Sequence, residues 1–377
     1  MENGKTTEKK LGFGMMRLPL LPGSDQEVDL DLVCKMVDRY LERGFRWFDT
    51  AYFYLGGKSE GIVRKAVVER YPREAFCVAD KMPLSHIKEK TDIGQIFAEQ
   101  QERTGLAYFD RYLLHAVSKE KLQMMDDFGL WDFLYALKKN GKAKAIGFSF
   151  HDTAETLESI LVKHPDLDFV QLQINYADWE STSIQSRKIY EVARKYGLPV
   201  IIMEPVKGGM LAGDPMPEIA ELIKKVSPQN TPAEWALRFA GSLEGVVTVL
   251  SGMSDMAQVE SNTALFGDFQ PFNKEEQDAA RRAYDILASA KTIPCTRCNY
   301  CTEGCPAELP IPNLIAIMND TIKFGVSAGS KHAFAWYSRK GKPSACVQCG
   351  QCESRCPQHL PIIKTLEKLA GIYEKEN

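Results

Sequence analysis

From residue 11 to about 285, short apolar runs alternate with amphipathic stretches, a rhythm that predicts repeated strand and helix units around a parallel sheet. Eight strands can be placed: Gly12 to Met16, Trp47 to Asp49, Phe76 to Ala79, Arg111 to His115, Ala145 to Ser149, Phe169 to Ile174, Pro199 to Met203 and Gly245 to Leu250. Between the first two, Leu32, Val33, Met36, Val37, Tyr40 and Leu41 recur at helical spacing, and Gly44 closes the run as a C-terminal cap glycine does. Eight such units over roughly 275 residues have the size of a closed (β/α)8 TIM barrel, whose active site lies at the C-terminal ends of the strands. Residues at those ends are the first candidates for chemistry.

The pattern changes after an amphipathic helix spanning about Lys274 to Ser289, where Ile293 and Pro294 lead into a cysteine-rich tail. The expected organisation is a polar tail over 1–10, a barrel over 11–285 and a second domain over 286–377. Hydrophobic residues make up 44% of the 377 and charged ones 26%, the balance of a folded rather than a disordered chain. A formal net charge of -3 gives no bulk attraction to nucleic acid or anionic lipid. Met1 to Lys10 has no apolar core, and no stretch approaches the roughly 18 apolar residues of a membrane span, so the expected setting is cytoplasmic.

Of ten cysteines, eight fall after residue 290, while Cys34 and Cys77 stand alone beside apolar neighbours and read as core. Cys295, Cys298, Cys301 and Cys305 precede Pro306, and Cys346, Cys349, Cys352 and Cys356 precede Pro357. The run C-x2-C-x2-C-x3-C-P thus occurs twice. Three cysteines at this spacing wrap one 4Fe-4S cluster, and the fourth, ahead of proline, reaches across to the other cluster. That assigns Cys295, Cys298, Cys301 and Cys356 to one cluster and Cys346, Cys349, Cys352 and Cys305 to a second. Two structural zinc sites are the alternative, but zinc takes four ligands and has no use for the doubled spacing. Ile311 to Ile322 and Leu360 to Tyr373 read as helices, predicting a mainly helical ferredoxin-like 4Fe-4S domain.

The segment Gly44 to Ala51 (Gly-Phe-Arg-Trp-Phe-Asp-Thr-Ala), with Tyr54 five residues past Asp49, resembles the aldo-keto reductase signature. Leu11-Gly12-Phe13-Gly14 and Ala145-Ile146-Gly147-Phe148-Ser149 resemble it too, and the likeness covers about residues 11 to 265. It implies a catalytic tetrad of Tyr54, Lys81, Asp49 and His115. Hydride addition to a carbonyl leaves charge on oxygen, so an acid must supply a proton, and free tyrosine near pKa 10 is a poor donor at neutral pH. A Lys81 ammonium would lower that value, Asp49 would hold the lysine, and His115 could hydrogen-bond the substrate oxygen. Taken singly, these are an ion pair, a loop aromatic and a core histidine; four together at the expected strand ends are a site.

The same resemblance implies a nicotinamide coenzyme, NAD(P)H, although the matching set is incomplete. Ser149 and Gln173 fit the family's amide-binding residues, Phe150 stands where asparagine is usual, and Met203 replaces the aromatic that stacks on the nicotinamide ring. Gly252, Gln258 and Asn262 resemble the coenzyme loop after the eighth strand, with Gly252 and Gln258 in place of the cations that grip a 2'-phosphate. No G-x-G-x-x-G follows a strand, so a separate dinucleotide-binding domain is not expected.

The expected activity is an iron-sulfur oxidoreductase that reduces a carbonyl substrate with NAD(P)H, with electrons from the clusters, or with both. A ferredoxin or other electron donor could serve without nicotinamide, and a catalytically silent redox-sensing or partner subunit is a third reading. Hydride carries two electrons and a cluster accepts one, so a flavin would ordinarily stand between them, and a barrel mouth can bind one without a sequence signature.

Overall fold

A computed structural model describes residues 9–374 except Asp25 and Ser183. Most of the polar N-terminal tail lies outside the described residues. Strands β1 (Leu11–Gly14), β2 (Trp47–Asp49), β3 (Cys77–Pro83), β4 (Phe109–Val117), β5 (Ala143–Phe150), β6 (Phe169–Gln173), β7 (Val200–Met203) and β8 (Val246–Ser251) close a barrel in sequence order. Every neighbouring pair is parallel, β8 with β1 included. All eight expected strands form. The first ends at Gly14, so Met15 and Met16 lie in the turn that follows.

Helices α1 (Leu30–Glu42), α2 (Ser59–Val63), α3 (Lys90–Thr104), α4 (Lys119–Phe128), α5 (Leu130–Lys139), α6 (Ala154–Lys163), α7 (Ser186–Lys195), α8 (Pro217–Val226), α9 (Pro232–Gly241) and α10 (Met256–Gly267) intervene or follow. In α1 the Asp29 side chain caps the first turn and Val33, Met36, Val37 and Tyr40 form the buried stripe. Tyr40 donates its hydroxyl proton within reach of Leu11 O (2.7 Å) and Trp47 O (3.0 Å), tying the helix to β1 and β2. Inside the barrel, Arg111 stacks 3.5 Å from the Trp47 ring and donates to Thr248 Oγ1, filling the space below the strand ends.

The tail adds α11 (Lys274–Ser289), α12 (Ile311–Phe324), α13 (Ala328–Tyr337), α14 (Gln351–Ser354) and α15 (Ile362–Tyr373). Leu309, Ile311, Leu314, Ile315, Ile317, Leu360, Ile362, Leu366 and Leu369 bury one another there, together with Cys301, Cys352 and Cys356.

Two compact units result. One holds the described residues up to Pro205 together with Leu237–Phe272, and the other holds Val206–Ala236 with the described residues from Asn273 onward. The stretch between β7 and β8 therefore packs largely with the tail: α8 lies against α11, and Lys207–Ala212 lies against α13. Cys34 and Cys77 are half-buried at the edge of the apolar interior rather than inside it. Among the described residues no helix is long and apolar enough to cross a membrane.

Candidate active site and cysteine cradles

Side chains alternate along a strand, so Ala79 and Lys81 share the inward face of β3 while Asp80 faces the helices. Lys81 is 0% exposed, and its ammonium donates to Asp49 Oδ1 at 2.5 Å and to Thr50 O at 2.7 Å. After β2 the chain turns sharply through Leu55 (φ 53°), Gly56 and Gly57, all left-handed, immediately beyond Tyr54. The Tyr54 ring lies with its centre 4.6 Å from Lys81 Nζ, close enough for the ammonium to favour the ionised phenol. His115, near the end of β4, presents its ring edge-on to Tyr54 at 5.8 Å. The structure thus brings Asp49, Tyr54, Lys81 and His115 into one patch at the ends of β2, β3 and β4.

Burial acts to strip the proton from Lys81, but the Asp49 carboxylate and the Tyr54 phenol outweigh it and hold the ammonium above the ordinary lysine value. Burial also pushes the Tyr54 phenol upward, and Lys81 draws it only part of the way back. The expected lowering of Tyr54 by Lys81 is present and is outweighed by desolvation. His115 is driven down to about 2, first by burial and then by Lys81, His151 and Lys121, so its ring is neutral. Its buried Nδ1 has no hydrogen-bond partner among the described residues. That orphaned polar atom beside a charged lysine and a phenol suits a carbonyl oxygen or a coenzyme amide.

Sequence reasoning missed Phe53, which stacks on His115 with ring centres 4.8 Å apart and planes within 2°. An aromatic beside the signature tyrosine was the available signal. It also missed the support of the strand end: Ala116 (φ 57°) donates its N–H to Ser149 Oγ at 2.8 Å and accepts from Lys121 Nζ at 2.7 Å. Ser149 therefore fixes the backbone next to His115.

The remaining coenzyme candidates are engaged locally. Gln173 donates to Asp178 at 3.0 Å, Met203 Sδ accepts from Gln171, and Phe150 is fully buried. Gln258 donates to Asp255 and accepts from Ser254 N, while Asn262 donates to Ser251. Gly252 is exposed, and a Cβ there would lie 3.5–3.8 Å from the Arg17 side chain, a cation that sequence reading passed over.

In the tail, Cys295, Cys298, Cys301 and Cys356 line one cavity with Pro312, Ile315 and Ile362. Cys305, Cys346, Cys349 and Cys352 line a second with Leu309, Ile311 and Leu366. In each, the fourth cysteine comes from the other motif. Left-handed residues recur at equivalent places, Arg297 and Gln348, Asn299 and Gly350, Glu308 and His359. Among the described residues no three His, Cys, Asp or Glu converge tightly enough for a single ion. Four thiols around an apolar space in two like-folded loops fit a cubane cluster better than zinc.

Comparison with known proteins finds a family for each of the two sites. The model of the aldo/keto reductase family matches residues 10–285, and that of the 4Fe-4S dicluster domain matches residues 294–360. An aldo-keto reductase from Mycolicibacterium vanbaalenii is 27% identical over 270 residues, 71% of this chain and 86% of that protein. Glyoxal reductase from Bacillus subtilis is 26% identical over 243 residues, 63% of this chain and 78% of its own. The holo form of an aldo-keto reductase from Bacillus halodurans superimposes with a TM-score of 0.59 at 22% identity, over 72% of this chain and 91% of that one. An aldo/keto reductase from Klebsiella pneumoniae in complex with NADPH gives 0.58 at 19% identity, over 73% and 90%.

Proposed function

The chain belongs to the aldo/keto reductase family and carries a C-terminal 4Fe-4S dicluster domain, and from that premise we propose that it reduces a small carbonyl compound with NADH or NADPH. The observation that carries the proposal is the meeting of Asp49, Lys81, Tyr54 and His115 at adjoining strand ends. The coenzyme would supply hydride. Tyr54 supplies the proton to the carbonyl oxygen, Lys81 offsets the charge left on the phenol, and Asp49 keeps Lys81 in place. The neutral His115 ring, braced by Phe53, orients the oxygen without adding a charge of its own. The Klebsiella relative's NADPH supports the choice of coenzyme.

The two cysteine cradles hold clusters in this reading, with the fourth ligand exchanged between motifs. A second reading is favoured by the local engagement of Gln173 and Gln258 and the burial of Phe150, which leave few of the family's coenzyme contacts free. In it, electrons enter from a ferredoxin-type donor.

The test is an anaerobic preparation with iron, sulfide and flavin measured, offered each nicotinamide and a panel of aldehydes and dicarbonyls. Carbonyl-dependent coenzyme oxidation is expected, falling roughly 100-fold or more in Tyr54→Phe with iron content unchanged. No oxidation with any carbonyl, beside turnover driven by reduced ferredoxin, would replace the first reading by the second.

A further inference from the structure

The outward face of β3 carries a charge arrangement that the proposed reaction does not use. Asp80 is 0% exposed and lies in register with Tyr112 of β4. Its Oδ1 accepts the Lys81 N–H at 2.8 Å, whereas its buried Oδ2 has no donor among the described residues. Glu60 of α2 is also 0% exposed, and the Gln100 amide that binds it binds the carbonyl of Lys81 as well, the residue next to Asp80. The donors of the neighbourhood are already committed. Gln100 Nε2 gives to Glu60 Oε1 (3.1 Å) and to Lys81 O (3.0 Å), Arg103 gives to Glu60 Oε2 (3.0 Å), and Tyr112 gives to Gln100 Oε1. Two neighbouring buried carboxylates with no donor left for Asp80 Oδ2 would repel in a dry site, and one shared proton removes both the repulsion and the orphaned oxygen.

We propose that Asp80 is protonated in the folded protein and donates to Glu60, and that this buried acid pair is a positioning device for Lys81. Lys81 has its backbone N–H held by Asp80 and its carbonyl held by Gln100, so both handles of the residue belong to the same network. The proton also keeps a second negative charge away from an ammonium already balanced by Asp49. The groups facing Asp80 are Lys81 on its own strand, Glu60 from α2 with Arg103 and Gln100 of α3 behind it, and Tyr112 from β4. Burial and Glu60 both raise the Asp80 carboxyl well above the ordinary aspartate range, which agrees with this state. The link to catalysis rests on Lys81 acting with Tyr54; the protonation itself does not.

The test is infrared spectroscopy of the full holoprotein at neutral pH with 13C-aspartate labelling. A protonated-carboxyl C=O band that shifts with the label is expected in the wild type and absent from Asp80→Asn. Its absence from the wild type, or its survival in Asp80→Asn, overturns the proposal, and the wild-type measurement decides even if the variant fails to fold. Asp80→Asn, whose amide can still donate to Glu60, should keep carbonyl turnover, while Asp80→Ala lowers it roughly 10- to 100-fold by displacing Lys81. Equal losses in both would refute the positioning role. A preparation with the band but no carbonyl turnover would leave the acid pair standing and remove the catalytic reading instead.

Discussion

Lys81 and Asp49 form a fully buried ion pair, Nζ to Oδ1 2.5 Å, at the ends of adjacent barrel strands. Trp47 pairs with Cys77 and Asp49 with Ala79, so the two side chains meet because β2 and β3 are in parallel register and Lys81 projects two residues further on. A buried pair contributes little net stability, because desolvation offsets attraction, yet removing one partner strands the other.

Lys81→Met should therefore destabilise the barrel by about 3–5 kcal/mol, and adding Asp49→Asn should recover much of the loss. Thermal melts of the two variants beside the wild type check this. A single variant that melts with the wild type would mean that Asp49 is not stranded.

His115 contributes to the acid side of the stability profile. Its folded value of about 2 lies below the roughly 6.5 of an unfolded histidine, so the unfolded chain takes up the proton first as pH falls. The contribution is intact above about pH 6.5 and is lost progressively below it. His115→Phe, which preserves the stack on Phe53, should flatten the dependence of melting temperature on pH in that window. For turnover, neither His115 nor the upshifted Tyr54 titrates near neutrality, so kcat/KM should show no limb from either between about pH 5 and 8.

The exchange of fourth cysteines makes Cys356→Ser informative. It should disturb the cavity lined by Cys295, Cys298 and Cys301 and leave the other, lowering iron from roughly eight to roughly four per chain. The surviving cluster's spectrum identifies it when compared with Cys305→Ser. Loss of the cluster at Cys346, Cys349 and Cys352 from Cys356→Ser would refute the exchange.

In the proposed reading, coenzyme selection would follow from the loop after β8. Gly252 has no side chain and Gln258 is bonded to Asp255, so neither provides a cation for a 2'-phosphate. Fluorescence titration should find NADPH and NADH within about tenfold of each other in affinity. If NADPH wins by more, Arg17→Met should abolish the difference, since the Arg17 side chain lies over Gly252.

Strand positions and the cysteine runs were legible in the sequence because both are local signals, one in the alternation of apolar residues and one in fixed spacing. Helix α13 was not: Ala328–Tyr337 mixes glycine, lysine and aromatics without a clear apolar stripe, and begins instead from the Ser327–Ser330 capping box. Phe150 stands where the family resemblance places a coenzyme-binding asparagine and is core by burial. The Asp80, Glu60 and Gln100 network was invisible for another reason: its members lie twenty residues or more apart, and only the packing of α2 and α3 on β3 brings them together.

The assignment of Val206–Ala236 to the same compact unit as the tail changes what a truncation means. A backbone carbonyl at Gly208 lies where a Cβ on Gly329 would be only 2.5 Å away, so two main chains touch with no side chain between them. Cutting the gene after residue 289 would delete one side of that contact, leaving α8 its packing on α11 but stripping Lys207–Ala212, between two barrel strands, of its partner α13. The iron-bearing tail is therefore not cargo on a finished enzyme; it is scaffolding for a piece of it, and a graft onto an ordinary barrel would need this stretch transplanted as well.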